Sequence, residues 1–328
     1  MPTTLMPSAA PIAFDEALVR KYDGVGPRYT SYPTADRFHD GFTAAHYVDA
    51  LAARNVAAPL SLYVHVPFCN TVCYYCACNK VITKNHDHSA KYIRYVEKEI
   101  GIVGGLVEGS PPVIQLHWGG GTPTFLSHEE MGALMGALRR QFRFAPDAEV
   151  SIEVDPRKVD AATIAYLAEL GFNRISVGIQ DFDPAVQKAV NRIQSEAETR
   201  TVIDASRANG FVSVNADLIY GLPLQTVAGF AATLDKVIEA SPTASRCTAM
   251  RTSRTCPRRR NRSKSPSCPR PTPSSRSWRW PSRSSARPAT STSAWTTSPS
   301  PATSWRSPSA SASCTGTSRA IRPSPIAT

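Results

Sequence analysis

Residues 1–242 predict an α/β fold, a parallel sheet arranged as a β/α barrel, on three observations. Short apolar, β-branched runs alternate with longer amphipathic ones, glycines stand where helices would end, and polar or glycine-rich residues gather at the same end of each apolar run. Strands are expected over 60–67, 113–119, 149–155, 174–180 and 213–219. Helices are expected over 88–103, 128–142, 161–170, 196–209 and 227–240. Gly171 and Gly210 follow two of these helices, and Pro156, Pro184 and Pro223 follow strand ends. In parallel barrels the loops after the carboxyl ends of strands carry the chemistry, which here means 69–78, 119–124, 155–157, 180–183 and 221–223. Glycine and proline are also ordinary turn residues, so this composition supports a site there without defining it.

A length of 328 residues at 42% hydrophobic content allows one large domain or two ordinary ones. The formal charge of +11 belongs to one end of the chain. Residues 243–328 hold 16 Lys and Arg and no Asp or Glu, whereas residues 1–242 hold 21 basic and 26 acidic residues, a net −5. Strongly basic chains suit phosphate partners. The mildly acidic body does not, so nucleic acid is not an expected partner. The first 20 residues carry Asp15 and Glu16 and no cationic patch leading into a long apolar run; no apolar stretch has the length of a membrane span. A cytoplasmic chain with no membrane partner is therefore expected.

Four of the eight cysteines, Cys69, Cys73, Cys76 and Cys78, fall within ten residues, while Cys247, Cys256, Cys268 and Cys314 are scattered. Clustering of this kind in a cytosolic chain favours metal or redox chemistry over disulfides. Cys69-Asn-Thr-Val-Cys73-Tyr-Tyr-Cys76 is a C-x3-C-x2-C loop directly after the first expected strand. An iron–sulfur cubane takes thiolates from one irregular loop, and three protein thiolates leave one iron open to another ligand. Zinc more often takes four ligands in paired knuckles, and no second C-x2-C lies nearby. Cys78 supplies a fourth thiol on counting alone, which leaves zinc or a fully ligated cluster as alternatives. His65, His86, His88 and His117 fit no common zinc spacing and read as core or surface histidines.

The run Tyr63-Val-His-Val-Pro-Phe-Cys69, continued by Cys73-Tyr-Tyr-Cys76-Ala-Cys78-Asn79-Lys80, resembles the signature of the oxygen-independent coproporphyrinogen III oxidases, in the radical S-adenosylmethionine (radical SAM) superfamily. Other stretches match that family in order and spacing. They are Gly26-Pro-Arg-Tyr-Thr-Ser-Tyr-Pro-Thr-Ala35, His117-Trp-Gly-Gly-Gly-Thr-Pro-Thr124, Ser151-Ile-Glu-Val-Asp-Pro-Arg157, Ser176-Val-Gly-Ile-Gln-Asp-Phe182, Asn191-Arg192 and Asp217-Leu-Ile-Tyr-Gly-Leu-Pro223. The resemblance covers nearly all of residues 20–242. It implies an incomplete parallel (β/α)6-type radical SAM barrel over 51–242, truncated after strand five. Residues 1–50 would form an N-terminal arm, and 243–328 a disordered tail.

By the same resemblance Cys69, Cys73 and Cys76 would hold a [4Fe-4S] cluster whose open iron takes the amino and carboxylate groups of S-adenosylmethionine, with Cys78 outside the ligand set. Two S-adenosylmethionine molecules are implied. Gly120 would contact the first, and Gly121 and Thr122 would face the second; a glycine triplet alone is as readily a turn, although its bare backbone also lets N–H groups approach a ligand. Glu153 would accept from ribose hydroxyls, or read simply as the solvated phase of a strand. Arg192 would pair a ligand carboxylate, a task suited to its planar fork, with a helix-surface ion pair as the alternative. Gln180 and Asp217 are assigned to the second S-adenosylmethionine. Tyr63 and Tyr75 are contacts of the cofactor by resemblance and core residues by chemistry alone.

The implied reaction begins with cleavage of S-adenosylmethionine by a cluster electron. The resulting 5′-deoxyadenosyl radical abstracts hydrogen from a substrate propionate, and loss of carbon dioxide and one electron leaves a vinyl group. Two such events would convert coproporphyrinogen III to protoporphyrinogen IX in porphyrin biosynthesis, with an external electron donor and a monomeric chain. No catalytic side chain is assigned beyond the cluster. Two other functions stay open: a haem-chaperone-like relative, against which the Gly26–Ala35 run and Cys78-Asn79-Lys80 argue, and a nucleic-acid-binding protein driven by the basic tail.

Residues 243–328 are rich in Ser, Arg, Pro and Thr without amphipathic period, a composition that builds no core. A reading-frame slip at Pro242/Thr243 accounts for this. Moving the frame back one base around Ala294-Trp295-Thr296-Thr297-Ser298-Pro299 permits Met-Asp-His-Phe-Ala. The same shift over residues 313–322 permits Leu-His-Arg-Asn-Phe-Gln-Gly-Tyr-Ser. Both strings resemble later motifs of the oxidase family, and the shifted residues after Pro242 permit a sixth strand, Asp-Arg-Ile-Ala-Leu-Tyr. Such a slip leaves the chain as written without the oxidase reaction. Native gene sequence across codons 240–245 is expected to show the slip; an unbroken frame encoding the Arg/Ser tail would restore weight to an RNA-binding appendage.

Overall fold

The computed structural model describes residues 15–22, 34 and 37–250. The Gly26–Ala35 run, apart from Thr34, and the tail from residue 251 with Cys256, Cys268 and Cys314 lie outside the described residues. In chain order the strands are β1 (Leu60–Val66), β2 (Phe68–Cys69), β3 (Val81–Ile82), β4 (Val113–Gly120), β5 (Phe144–Val154), β6 (Arg174–Gln180), β7 (Ser213–Tyr220) and β8 (Ala244–Ala249). The helices are α1 (Glu16–Tyr22), α2 (Ala44–Ala52), α3 (Asp87–Gly105), α4 (His128–Gln141), α5 (Ala161–Glu169), α6 (Pro184–Ala189), α7 (Glu196–Ala208) and α8 (Val227–Ala240). Six strands form one parallel sheet in the order β1-β4-β5-β6-β7-β8, and β2 pairs with β3 separately.

One face of this sheet is apolar and sealed. Val64, Val66, Leu116, Trp118, Ile152, Val154, Ile175, Val177, Val214 and Leu218 are buried against helix residues such as Ile93, Leu134, Leu138, Ile164, Leu167, Val202 and Leu234. Each fully buried aliphatic side chain contributes about 1.5–3 kcal/mol of transfer free energy. The alternate residues, among them Tyr63, His117, Ser151, Glu153, Ser176, Asn215 and Asp217, lie on the opposite, polar face and are incompletely buried.

Local signals place the helices. Ser127 with Glu130 and Ser195 with Glu198 form capping boxes at the starts of α4 and α7, and Asp160 and Thr226 cap α5 and α8. Beyond shifts of a residue or two at element ends, β5 and α6 differ from the sequence expectation, and the short β2 and β3 were not expected. β5 starts five residues early, at Phe144. α6 forms directly after the expected 180–183 loop, over residues to which no element was assigned, because Asp183 accepts from the N–H groups of Ala185 and Val186 and Pro184 occupies the first helical position.

The expected truncation after strand five is corrected. Ala244–Ala249 runs parallel to β7 in register from Asn215↔Ala244 to Tyr220↔Ala249, so β8 and not β7 is the sheet edge. Thr243 fastens its start, donating N–H to Val214 O (2.9 Å) and accepting from Val214 N through its hydroxyl (3.1 Å). Cys247 packs on the core from the half-buried phase of this strand, and a short Ala, Ser and Thr run needs little apolar content at an edge.

No helix among the described residues is long and apolar enough to cross a membrane. Replacing Ile152, fully buried at the sheet centre, by Ala is expected to cost about 2–5 kcal/mol. Ile193→Ala, at a residue 72% exposed, is expected to stay within about 0.5 kcal/mol. Guanidinium midpoints check this, and similar losses at both positions would contradict the burial pattern.

Candidate functional site

The cysteine loop is a closed excursion just beyond the carboxyl end of β1, its two ends joined by the parallel pair β2 and β3. Pairing of Phe68 with Val81 and Cys69 with Ile82 closes its base. Within it Cys76 N bonds Cys73 O (3.1 Å), and Lys80 Nζ donates to the carbonyls of Cys76 (3.0 Å) and Cys78 (3.2 Å). Its outer part is tied to the end of α6: Tyr74 N donates to Val190 O (3.0 Å) and Asn191 Nδ2 to Val72 O (2.7 Å). Tyr75 packs on the apolar group Val186, Val190 and Leu222. Its hydroxyl interacts with Cys73, and burial raises its pKa well above the ordinary phenol value.

Each of the three cysteines assigned to the cluster meets a hydrogen-bond donor. Thr122 Oγ1 lies 3.6 Å from Cys69 Sγ. Arg157 Nη2 and Arg192 Nη1 each lie 3.8 Å from Cys73 Sγ. The Cys78 thiol donates to Cys76, which together with Lys80 overcomes burial and brings the Cys76 thiol down to about 5. Holding that shared proton, and burial, push Cys78 far up. Burial also raises Cys69.

Behind Cys73 is a group of charges whose connection the sequence reading missed. Asp155, at the end of β5, accepts from Arg157 Nε (2.9 Å) and Nη2 (2.6 Å), and from Arg192 Nη2 (3.3 Å) and Nη1 (3.4 Å). Arg192 Nη2 also donates to Gly178 O (2.7 Å). Burial alone would raise the Asp155 carboxyl, yet the two guanidiniums hold it below the usual carboxylate range. Arg192 thus pairs a carboxylate of its own chain, and its buried Nε has no hydrogen-bond partner. The Asp-Pro-Arg run at a strand end was the available signal, since the proline opens a 3-10 turn that returns Arg157 onto Asp155.

The glycine-rich loop after β4 lies directly on the β1 corner. A Cβ at Gly121 would sit 2.7 Å from Phe68 O, and one at Gly120, where φ is +114°, would strike the His65 ring at 2.6 Å. The N–H groups of Gly120, Gly121 and Thr122 are engaged within the chain, by Glu153 Oε2 (3.2 Å), Val66 O (2.7 Å) and Phe68 O (2.8 Å). These glycines are therefore required by close packing, and the expected cradle of free N–H donors is not what they form.

On the polar face of the sheet Tyr63 stacks on His117 at 5.8 Å and its hydroxyl meets His65 Nδ1 at 3.1 Å. Burial and the neighbouring Glu153 push the Tyr63 phenol up. His117 bonds Ser151 Oγ (2.7 Å) and lies 3.5 Å from Glu153. Neither histidine is the core or surface residue expected; both stand among the polar groups of this face. Deeper along β7, Asp217 accepts from Ser176 Oγ (2.6 Å) and Asn215 Nδ2 (3.0 Å), and burial raises its carboxyl. Gln180, at φ +69°, ends β6 beside Arg192, both side chains crowding Gly178. The structure therefore brings Cys69, Cys73, Cys76, Tyr75, Thr122 and Arg192 together as one group, and places Tyr63, Gly120 and Glu153 in a second beside it.

Among the described residues no three His, Cys, Asp or Glu side chains converge on one point as a single metal ion requires. A cubane places different thiolates on different irons, so its ligands surround a volume and need not converge. Three soft sulfur donors, each with a hydrogen-bond donor nearby, and two guanidiniums facing Cys73 fit an anionic iron–sulfur cluster.

The profile of the Radical SAM superfamily matches residues 63–237. The oxygen-independent coproporphyrinogen III oxidase of Pseudomonas aeruginosa is 52% identical over 234 residues, 70% of this chain and 51% of that protein. That of Synechocystis is 46% identical over 241 residues, 73% of this chain and 51% of that protein. The structure of coproporphyrinogen III oxidase (HemN) from Escherichia coli, a radical SAM enzyme, superposes with a TM-score of 0.73 at 42% identity, covering 79% of this chain and 58% of that one. The chain spans about half the length of the curated relatives it matches.

The thiol environments predict graded reactivity in metal-free protein. Cys76 is expected to alkylate with iodoacetamide at a rate nearly constant from pH 8 to pH 6, falling only near pH 5 where its thiolate is protonated. Cys78→Ala is expected to return Cys76 to an ordinary thiol profile. Peptide mass spectrometry follows both, and a Cys76 rate that rises steadily up to pH 9 would contradict the assigned hydrogen bond.

Proposed function

The chain belongs to the Radical SAM superfamily, and from that premise we propose that its site serves the oxidative decarboxylation of coproporphyrinogen III to protoporphyrinogen IX, the reaction named for its relatives. The observation that carries the reading is the C-x3-C-x2-C loop itself, with three sulfurs at the carboxyl end of β1 and a hydrogen-bond donor at each. Superfamily membership brings a [4Fe-4S] cluster and S-adenosylmethionine as cofactors. The cluster, when bound, supplies the electron that cleaves S-adenosylmethionine to methionine and a 5′-deoxyadenosyl radical.

The chain's own residues then have distinct tasks. Cys69, Cys73 and Cys76 hold the cluster, and Tyr75, seated on Val186 and Leu222, is a contact of S-adenosylmethionine. Gly120 contacts the first S-adenosylmethionine, and Glu153 accepts from its ribose hydroxyls. Arg192 has an unpaired Nε to offer a ligand carboxylate. Tyr63 lies beside Glu153 as a further contact. Gly121, Thr122, Gln180 and Asp217 face a second S-adenosylmethionine. Asp217, with its carboxyl raised by burial, is suited to hydrogen bonding a neutral hydroxyl or amine. The protein acts as a single cytoplasmic chain with an external one-electron donor.

Cluster binding depends on the loop after β1, whereas turnover depends on enclosing a radical and a tetrapyrrole to sub-ångström tolerance. The two therefore separate. Anaerobically reconstituted protein is expected to hold four irons per chain, and Cys69→Ala, Cys73→Ala or Cys76→Ala to abolish this while Cys78→Ala spares it. A version with the frame restored after Pro242 is expected to form protoporphyrinogen IX from coproporphyrinogen III, and the chain as written is expected to hold its cluster without turnover. Equal turnover from both would overturn the frame slip; full iron in a cysteine variant would remove that residue from the ligand set.

A further inference from the structure

We infer that Arg157 and Asp155 set the reduction potential of the cluster, as positioning residues acting through Cys73. The inference rests on the reading of Cys73 as a cluster ligand. Arg157 and Arg192 both face Cys73 Sγ at 3.8 Å, and both are anchored by the single carboxylate of Asp155. The three side chains are only 13%, 9% and 11% exposed. Two guanidiniums against one carboxylate leave one positive charge uncompensated in a place where water screens it weakly. No other acidic side chain forms an ion pair with either arginine among the described residues.

That residual charge, and the two N–H donors aimed at sulfur, favour whichever cluster state carries more negative charge. One-electron reduction adds a negative charge to the cluster, so both effects raise its potential. Arg157 is the informative member of the pair. Arg192 is read as a ligand contact, whereas the Arg157 side chain makes three hydrogen bonds to Asp155 and one to Cys73, and lies within a 3-10 turn that fixes its position. Asp155 has the opposite sign of effect. Removing its charge leaves both guanidiniums uncompensated and raises the local potential further.

The test is the midpoint potential of the one-electron couple in anaerobically reconstituted protein, followed by electron paramagnetic resonance during reductive titration, with iron and sulfide assayed on each sample. Arg157→Gln is expected to lower the equilibrium constant for reduction by about tenfold, which is about 59 mV for one electron. Asp155→Asn is expected to shift it upward. A purely structural role would not move the two variants in opposite directions. Full iron in both variants with an unchanged potential, or shifts of the same sign, would overturn the inference. If Arg157→Gln loses its cluster, the Asp155→Asn shift decides alone: upward supports, unchanged or downward overturns. Absence of a cluster in the unaltered chain would instead sink the underlying functional reading.

Discussion

The six strands run parallel, with one set of alternate side chains beneath helices and the other left polar. Once Ile152 and Val154 are buried, Ser151 and Glu153 must lie on the opposite face, and a one-residue slip in register would exchange the two sets. The same parallel direction brings every strand's carboxyl end to one edge of the sheet. Residues far apart in sequence then meet there: Cys73 and Arg192 are separated by 119 positions and come within 3.8 Å. The apolar face thus fixes the polar one, and the polar one with its edge loops is the site.

At that edge the dominant local problem is charge. A loop of thiolates is stable only near donors or cations, and the chain provides Thr122, Arg157, Arg192, Lys80 and the Cys78 thiol around it. Burying guanidiniums carries a desolvation cost of several kcal/mol per ion unless they are paired. Asp155 supplies the pairing for both. Its depressed carboxyl shows that attraction to the two arginines exceeds the effect of its own burial. The close seat of the Gly119–Thr124 stretch on the β1 corner is a second constraint, since side chains at Gly120 or Gly121 would displace His65 or the Pro67–Phe68 backbone.

Much of the barrel was legible because strand and helix periods are written directly into burial. β6 and α8 have the expected limits, and β1, β4, α4, α5 and α7 differ by a residue at one end. The misses have physical causes. α6 is six residues long, too short for a periodic signal, and is held by the Asp183 cap and by packing of Val186 and Val190. β8 is an edge strand with little apolar content, stabilised by main-chain pairing to β7 that no composition reveals. The cysteine ligands were readable from spacing, because their loop is local. The Asp155–Arg157–Arg192 group was not, because its decisive contacts join the end of β5 to Arg192 in the segment between α6 and α7. The expected free N–H donors of the glycine loop failed for a related reason: which acceptors lie within reach is set by the tertiary approach of β1.

A three-thiolate cluster with one iron left for S-adenosylmethionine is the point on which the functional reading stands. The most direct measurement is the electron paramagnetic resonance spectrum of the reduced, reconstituted protein before and after addition of S-adenosylmethionine. A cluster with an open iron changes its ligand set on binding, so a shift in g values with saturable dependence on S-adenosylmethionine is expected. An unchanged spectrum at full iron content would contradict the open iron and return Cys78 to the ligand set.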